Sequence, residues 1–423
     1  MIYLYILAVI GVLALCVLFY NWWVPDQSEI APRDISNGAT LDAEESARAL
    51  SANLNAPMLD GNAIDVLLNG DQIFPAMLEA IRQARDSVHL LTYIYWGGEI
   101  AGQFADALGA AARRGVRVRL LVDAVGGAKM ASNMVDELRA AGCTFDWFRP
   151  LRWYNLGRFN DRTHRKVMVV DGRIGFTGGV GIAELWTGHA QNPEHWRDDH
   201  FRIQGPAVRY LQGSFAVNWR QATGEVLAGA ALFPDLDDAG SARVVAIDAA
   251  PSVRISTIAF TYWLFFHSAC EEIHVTTPYY VPDPRLHLGL ASAARRGVKV
   301  TLLVPGPHID TKLVSLASKT YYRELLQAGV AIHEYQRSMI HTKTVTVDGA
   351  YALIGSPNFD TRSFGLNYEE ALVVYDTALT EALNRSFDED LGNARQVTLR
   401  EVEAWTPWAR AGQRMARLLR AQM

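Results

Sequence analysis

Apolar and polar positions change rhythm along the chain, and the changes predict where its elements lie. Residues 2 to 20, IYLYILAVIGVLALCVLFY, carry no charge, and the apolar run continues through Trp22 and Trp23 to Val24. That is long enough for one helix across a bilayer, so residues 1–24 are expected to form a membrane anchor with the two tryptophans at the lipid interface. A cleaved leader would instead need a basic start and small residues before the cut, where this chain has FYNWWVP. Residues 25–60 are rich in Asp, Glu, Ser, Asn, Ala and Pro, with an apolar face only across 41 to 53, and read as a linker. From Ile64 the pattern becomes globular. It predicts a strand to Leu68, a turn at Asn69-Gly70-Asp71, an amphipathic helix to about Arg85, a strand over 87–95, a helix over roughly 99–114 and a strand through VRVRLLV. Beyond about 396, Arg410, Arg414 and Arg417 recur at helical spacing opposite Trp408, Ala411, Met415 and Leu418. This predicts an amphipathic tail over 396–423, able to lie on an anionic membrane or to dock on the protein.

The pattern occurs twice. AARRGVRVRLLV at 111 to 122 returns as AARRGVKVTLLV at 293 to 304, and ARDSVHLLTYIY at 84 to 95 corresponds loosely to ACEEIHVTTPYY at 269 to 280. Strands alternating with helices imply α/β layers, so the chain reads as two halves of one element order, 61–245 and 246–395. Each half carries the spacing H-x-K-x4-D. His164, Lys166 and Asp171 precede Gly178 and Gly179, while His341, Lys343 and Asp348 precede Gly355 and Ser356, at a constant offset (341−164 = 348−171 = 177). A valine-rich run between Lys and Asp alternates like a strand, which puts His and Lys on one face. Two such pairs brought together would surround one phosphate with two nitrogen bases and two ammonium groups.

Composition narrows the chemistry. Half of the 423 residues are apolar, and the net charge of −5 with a pI near 6.1 argues against a general affinity for nucleic acid. Cys16, Cys143 and Cys270 have neither metal nor disulfide spacing and read as packing residues. His189, His195 and His200 match no zinc pattern and read as exposed loop histidines. The segment FDWFRPLRWYNLGRFNDRTHRK interleaves Arg149, Arg152, Arg158, Arg162, Arg165 and Lys166 with aromatics. It would suit a lipid interface or a single strand of nucleic acid; the anchor and the acidic pI favour lipid.

The duplicated motif resembles that of the phospholipase D superfamily, and within it the bacterial cardiolipin synthases. Three further stretches carry the resemblance: N-x-R-x-H-R-K (Asn160, Arg162, His164, Arg165, Lys166), WRDDHFRIQGPAV at 196 to 208, and GSPNFDTRSFGLNYE at 355 to 369. It spans roughly residues 62 to 395 and implies two pseudo-symmetric α/β halves packed around one active site. It implies transfer through a phosphohistidine, with His164 as nucleophile and His341 as acid and base, although the duplication leaves the opposite assignment open. Lys166, Lys343 and Asn358, with Ser356, Gly179 and Arg162, are then expected at the phosphate. Asp171 and Asp348 complete the catalytic motif, yet their place after each strand suits bonding of local backbone N–H groups. Asp198 and Glu369 follow their histidines by 34 and 28 residues (198−164 and 369−341), and by resemblance each orients the other half's histidine. Gly181 stands where the family usually has a second Asn. The resemblance implies two phosphatidylglycerol molecules as substrates, no metal or cofactor, and a single-pass protein of the bacterial inner membrane. A hydrolytic phospholipase D, a tethered nuclease and an inactive lipid-binding scaffold remain as alternatives. No oligomeric state is indicated.

Overall fold

The computed structural model describes residues 2–23, 35, 41–150, 160–251 and 256–418, with the backbone alone for 17–23 and 418. Its centre is a sheet of 16 strands whose order reads almost identically from the middle outwards. Toward one edge run Met58–Leu68, Asp199–Gln204, Ile174–Gly178, Val167–Val170, Ser87–Thr92, Arg117–Asp123 and Thr144–Phe148. Toward the other run Ala242–Ala249, Asn367–Tyr375, Tyr351–Gly355, Thr344–Val347, Glu272–Thr276, Lys299–Pro305 and Ala331–Tyr335, with Ala394–Val397 as an extra edge strand. In each half the outer three of the matching strands run parallel, joined by helices such as Glu99–Arg113 and Pro284–Arg295, and the inner ones run antiparallel. The two expected α/β halves are therefore present, related by a pseudo-twofold axis between their first strands.

Those first strands pair antiparallel with each other, Met58 opposite Val245 and Leu59 opposite Val244, so the two sheets are continuous. Met58–Leu68 starts upstream of the expected Ile64 because Asp60, Gly61 and Asn62, which look like a loop, form an irregularity within a strand. Asn62 is buried and serves the backbone on both sides. Its amide donates to Leu59 O and Ala242 O, and its oxygen accepts from Ala207 N. The second half's first strand is Ala242–Ala249, so the expected boundary at 245/246 falls inside a strand.

Two further boundaries differ from expectation. Helix Ala43–Leu54 is fixed by a reciprocal cap between Asp42 and Glu45, and it buries Ala47 and Leu50, the latter in the core of the second half. The expected linker therefore gives way to folded chain at Asp42. The expected turn at Asn69 is the start of helix Asn69–Gln83, entered through Asn69 at φ 58. At the far end, helix Pro407–Leu418 packs on Lys312–Ala328 with Gln413 and Ala416 buried, while Trp408 and Met415 stay exposed. Cys143 is buried as expected, but Cys16 and Cys270 are exposed.

The anchor expected over 1–24 falls on a single helix, Ile2–Trp23, whose residues 2–16 are exposed. Among the residues described with their side chains, no helix is long and apolar enough to cross a membrane. Residues 151–159 of the arginine- and aromatic-rich segment, with Arg152 and Arg158 among them, lie outside the described residues.

Candidate active site

Both motif histidines are carried at the junction of the halves. Arg162–Thr163 pairs in parallel with Asn367 and Tyr368, and His164 N donates to Tyr368 O (2.9 Å). The other half mirrors this: Arg197 bridges Ile340, and His341 N donates to Arg197 O (2.7 Å). Each histidine is thus laced to the residue just before the opposite half's carboxylate. The carboxylates then reach the rings, with Glu369 3.0 and 3.1 Å from His164 Nδ1 and Asp198 Oδ2 2.7 Å from His341 Nδ1. With Nδ1 bound to a carboxylate, Nε2 is the nitrogen left to react, and at His341 it lies 3.2 Å from Lys343 Nζ.

The carboxylates are held by donors of their own. Ser356 Oγ and Ser363 Oγ donate to Glu369, as does Asn367 Nδ2, while Trp186 Nε1 (2.9 Å) and Asp199 N (2.9 Å) donate to Asp198. Burial opposes the Glu369 charge, but His164, Lys166 and Ser356 outweigh it and hold the carboxyl at about 2. Burial pushes His164 down to about 4, with Glu369 opposing and the lysines assisting. His341 lies well below the ordinary imidazole range through burial, Lys343, Lys166 and His164, with the Gly179 backbone opposing. Both imidazoles are therefore neutral in the empty site. A bound phosphodiester would offset the lysine charges and make a proton on His341 easier to hold.

Lys166 and Lys343 lie buried beside the histidines, each donating from Nζ to the carbonyl of its own motif histidine. Burial, followed for Lys166 by the facing Lys343, lowers them to about 7 and about 8. Lys343 lowers Lys166 while Asp198 and Glu369 raise both lysines, and an anionic guest would favour the charged form of each. Aromatic rings frame the imidazoles: Tyr93 stands edge-on to His164 at 5.4 Å, and Trp186, Trp196 and Tyr279 surround His341.

A pH dependence follows. An ammonium is charged below its pKa, so the free enzyme loses its two positive charges as pH rises through about 7 and about 8. In initial rates from about pH 5 to about pH 10, kcat/KM is expected to fall on this alkaline side, and kcat to fall at higher pH because bound phosphate stabilises the charges. A kcat/KM that stays level throughout contradicts it.

Several expected site residues take other places. Asp171 and Asp348 leave the catalytic set: at φ 53 and 51 they sit in the turns beyond the motif strands, accepting from Arg85, Asp86 and Ser87 N–H groups and from Cys270, Glu271 and Glu272 N–H groups respectively. Arg162 is paired with buried Asp123 and donates to Arg149 O, so its charge is already used. Ser356 Oγ donates to Glu369. A Cβ on Gly179 would lie 2.0 Å from Asp198 Oδ1, so this glycine makes room for the orienting carboxylate. Asn358 is buried with its Oδ1 unpartnered among the described residues, and it remains a candidate for the substrate.

Among the loop histidines, His189 is exposed and His195 half-buried, but His200 is 1 % exposed in strand Asp199–Gln204, contrary to expectation. Residues missed in the sequence include Trp186, Ser363, Asp123 and the partners of Arg197. Arg197 donates to Asp390 (3.0 Å), Ser386 (2.6 Å) and Asp199, and Arg165 donates to Glu369 O (3.2 Å) and Asn218 (2.7 Å). The adjacent acidic pairs DD and EE at 198–199 and 369–370 were the available signal, since a buried acid beside an orienting one needs a cation. No cluster of potential metal ligands occurs among the described residues.

The family described as "Cardiolipin synthase, PLD-like domain" matches residues 77–192 and 264–391, one span in each half. A cardiolipin synthase of Geobacillus kaustophilus is 38 % identical over 361 residues, 84 % of this chain and 71 % of the relative. The major cardiolipin synthase of Bacillus subtilis is 34 % identical over 388 residues, 91 % and 80 % of the two chains. Among solved structures, a phosphatidylserine synthase of Haemophilus influenzae superposes at a TM-score of 0.65 with 13 % identity, covering 89 % of this chain and all of the other. A polyphosphate kinase of Porphyromonas gingivalis reaches 0.53 with 14 % identity, over 80 % of this chain and 49 % of the other. The low identities make these two likenesses of fold alone, but the sequence similarity runs through both halves and both His-Lys pairs. The chain therefore belongs to the cardiolipin synthase family of phospholipase D-like proteins.

Proposed function

We propose that the protein joins two phosphatidylglycerol molecules into cardiolipin and glycerol through a phosphohistidine. The observation that carries this is the crossed arrangement of the histidines: each Nδ1 is bound to a buried carboxylate of the opposite half, leaving two Nε2 atoms for one phosphorus. In the first step His164 Nε2 forms a bond to phosphorus, the bond from phosphorus to the glycerol oxygen breaks, and His341 supplies the proton with which glycerol leaves. In the second, the glycerol hydroxyl of another phosphatidylglycerol gives its proton to His341 as its oxygen bonds to phosphorus and the N–P bond breaks. Lys166 and Lys343 stabilise the charge on the non-bridging oxygens, with Asn358 as a further contact.

The test uses the full chain in detergent with phosphatidylglycerol as the sole lipid. Cardiolipin and glycerol are expected in equal amounts, and EDTA is expected to leave the rate unchanged, because the two ammonium groups supply the charge a cation would otherwise bring. Phosphatidic acid as the product would instead establish transfer to water, and loss of activity in EDTA restored by a divalent ion would refute the metal-free scheme.

The same reading places the protein in the bacterial inner membrane, held by the uncharged helix Ile2–Trp23. Membranes containing the full chain are expected to retain it through high salt and alkaline washing and to release it to detergent. Release by salt alone would remove the anchor from the account.

A further inference from the structure

His200 is a buried titratable group beside the phosphate site to which the scheme above gives no role. Val167 pairs with Thr177 and Gly178 pairs with His200, so Lys166, Gly178 and His200 form one row across three adjacent strands. Residues opposite one another in antiparallel strands point to the same face. Gly178 contributes no side chain to that row, and a Cβ there would lie 2.6 Å from His200 Nδ1. The imidazole therefore leans over the glycine toward Lys166. Neither of its nitrogens has a hydrogen-bond partner among the described residues, although the residue is 1 % exposed.

A cavity of about 10 Å³ lies beside this ring, lined by Lys166, Thr92 and His200 and otherwise by apolar side chains such as Phe74, Met77 and Met168. Every lining residue is at most 4 % exposed, so the space is internal. It is just large enough for one water molecule, and a water is retained where two or more polar groups converge. The other half lacks this arrangement. Gly355 pairs there with Ala371, which puts a methyl group in the place of the imidazole, and a Cβ on Gly355 would meet the Glu370 carbonyl instead.

We propose that the cavity holds one ordered water bridging the His200 imidazole and the Lys166 ammonium, and that His200 thereby acts as a positioning residue for Lys166, in the first half only. The water oxygen accepts from Lys166 and one of its hydrogens is donated to the bare ring nitrogen, so the chain is polarised in the sense that favours the ammonium. Lys166 is otherwise faced by Lys343, Glu369, Asp198, the Tyr93 ring and the His164 carbonyl, and His200 is faced by Asp198 and Lys166. Burial holds His200 at about 3, so it is a neutral acceptor at working pH. The kinetic consequence rests on Lys166 acting at the phosphate as proposed above; the water itself does not.

Two measurements test this. A crystal structure of the full chain at a resolution that shows waters is expected to place one between His200 and Lys166, and a dry cavity would overturn the proposal. In kinetics, His200→Leu keeps the bulk but can accept no hydrogen bond, so Lys166 should lose its proton more readily. The alkaline limb of kcat/KM is expected to move down by about one pH unit, a tenfold change in the protonation equilibrium. His200→Gln, which can accept, should leave the limb near its original place. The step read is the lower one, near 7, which belongs to Lys166, while the step near 8 belongs to Lys343 and should stay in place. If the leucine variant leaves the limb unmoved, His200 only fills space. Should the leucine variant fail to fold, the crystallographic water and the glutamine variant decide. Formation of phosphatidic acid instead of cardiolipin would refute the proposed reaction but leave both measurements readable.

Discussion

The His341→Asn variant, given a lipid whose leaving group departs without a proton, is expected to halt with its phosphoryl group on His164. Glu369 and its three donors fix His164 Nδ1, so the reactive Nε2 is aimed whether or not His341 is present. The first bond can therefore form. The second alcohol loses its positioned base, because His341 is gone and Glu369 is already committed to the nucleophile. Turnover of phosphatidylglycerol should drop by about three to four orders of magnitude, the upper range for losing a positioned acid-base group. Mass spectrometry on the acid-labile adduct locates it. His164→Asn is the counterpart and is expected to carry no adduct; one found on His341 in that variant would exchange the two roles, and its absence from both variants would argue against covalent catalysis.

The second large effect separates the two orienting carboxylates. Glu369→Gln replaces an acceptor bound by two hydroxyls, an amide and an imidazole with a group that can no longer accept from all four. His164 then loses both its orientation and the negative charge that balances a phosphoimidazolium, and a carboxylate-to-amide change behind a catalytic histidine can cost about four orders of magnitude. Formation of the phosphoenzyme should slow. Asp198→Asn disturbs His341 through the same kind of contact, with Trp186 and the Asp199 N–H still in place. With the good leaving group, the adduct should form at its normal rate and break down slowly. Rapid-quench measurement of burst and steady-state phases distinguishes the two. Equal damage to both phases in both variants would mean that the carboxylates do not divide their roles between the steps.

The duplicated motif made much of this site legible before any coordinates. Two copies of one pattern, each useful only with the other, imply a junction, and the acids at 198 and 369 then fall opposite the histidines. What the sequence did not convey was direction. Gly179, Ser356 and Arg162 stand beside the motifs in the chain, but their neighbours across the junction, Asp198, Glu369 and Asp123, decide what each does. His200 looked exposed for a related reason: WRDD reads as a polar surface until Arg197 finds Asp390, 193 residues away, and the whole stretch becomes interior. Asp60, Gly61 and Asn62 hid the central strand because turn-forming residues also serve an irregular strand whose side chains repair the ladder.

That central pairing also bears on descent. Like strand against like strand about a twofold axis is the geometry by which two identical subunits associate, and here Met58–Leu68 and Ala242–Ala249 meet in that way within one polypeptide. Two separate copies would have had to change together, since any substitution in one gene would appear on both sides of the axis. Once fused, each side became free to vary by itself. Arg165 in one half corresponds to Thr342 in the other, His200 to Ala371, and Gly181 to Asn358. Covalent linkage would thus allow two equivalent histidines to be inherited with the different duties proposed for them.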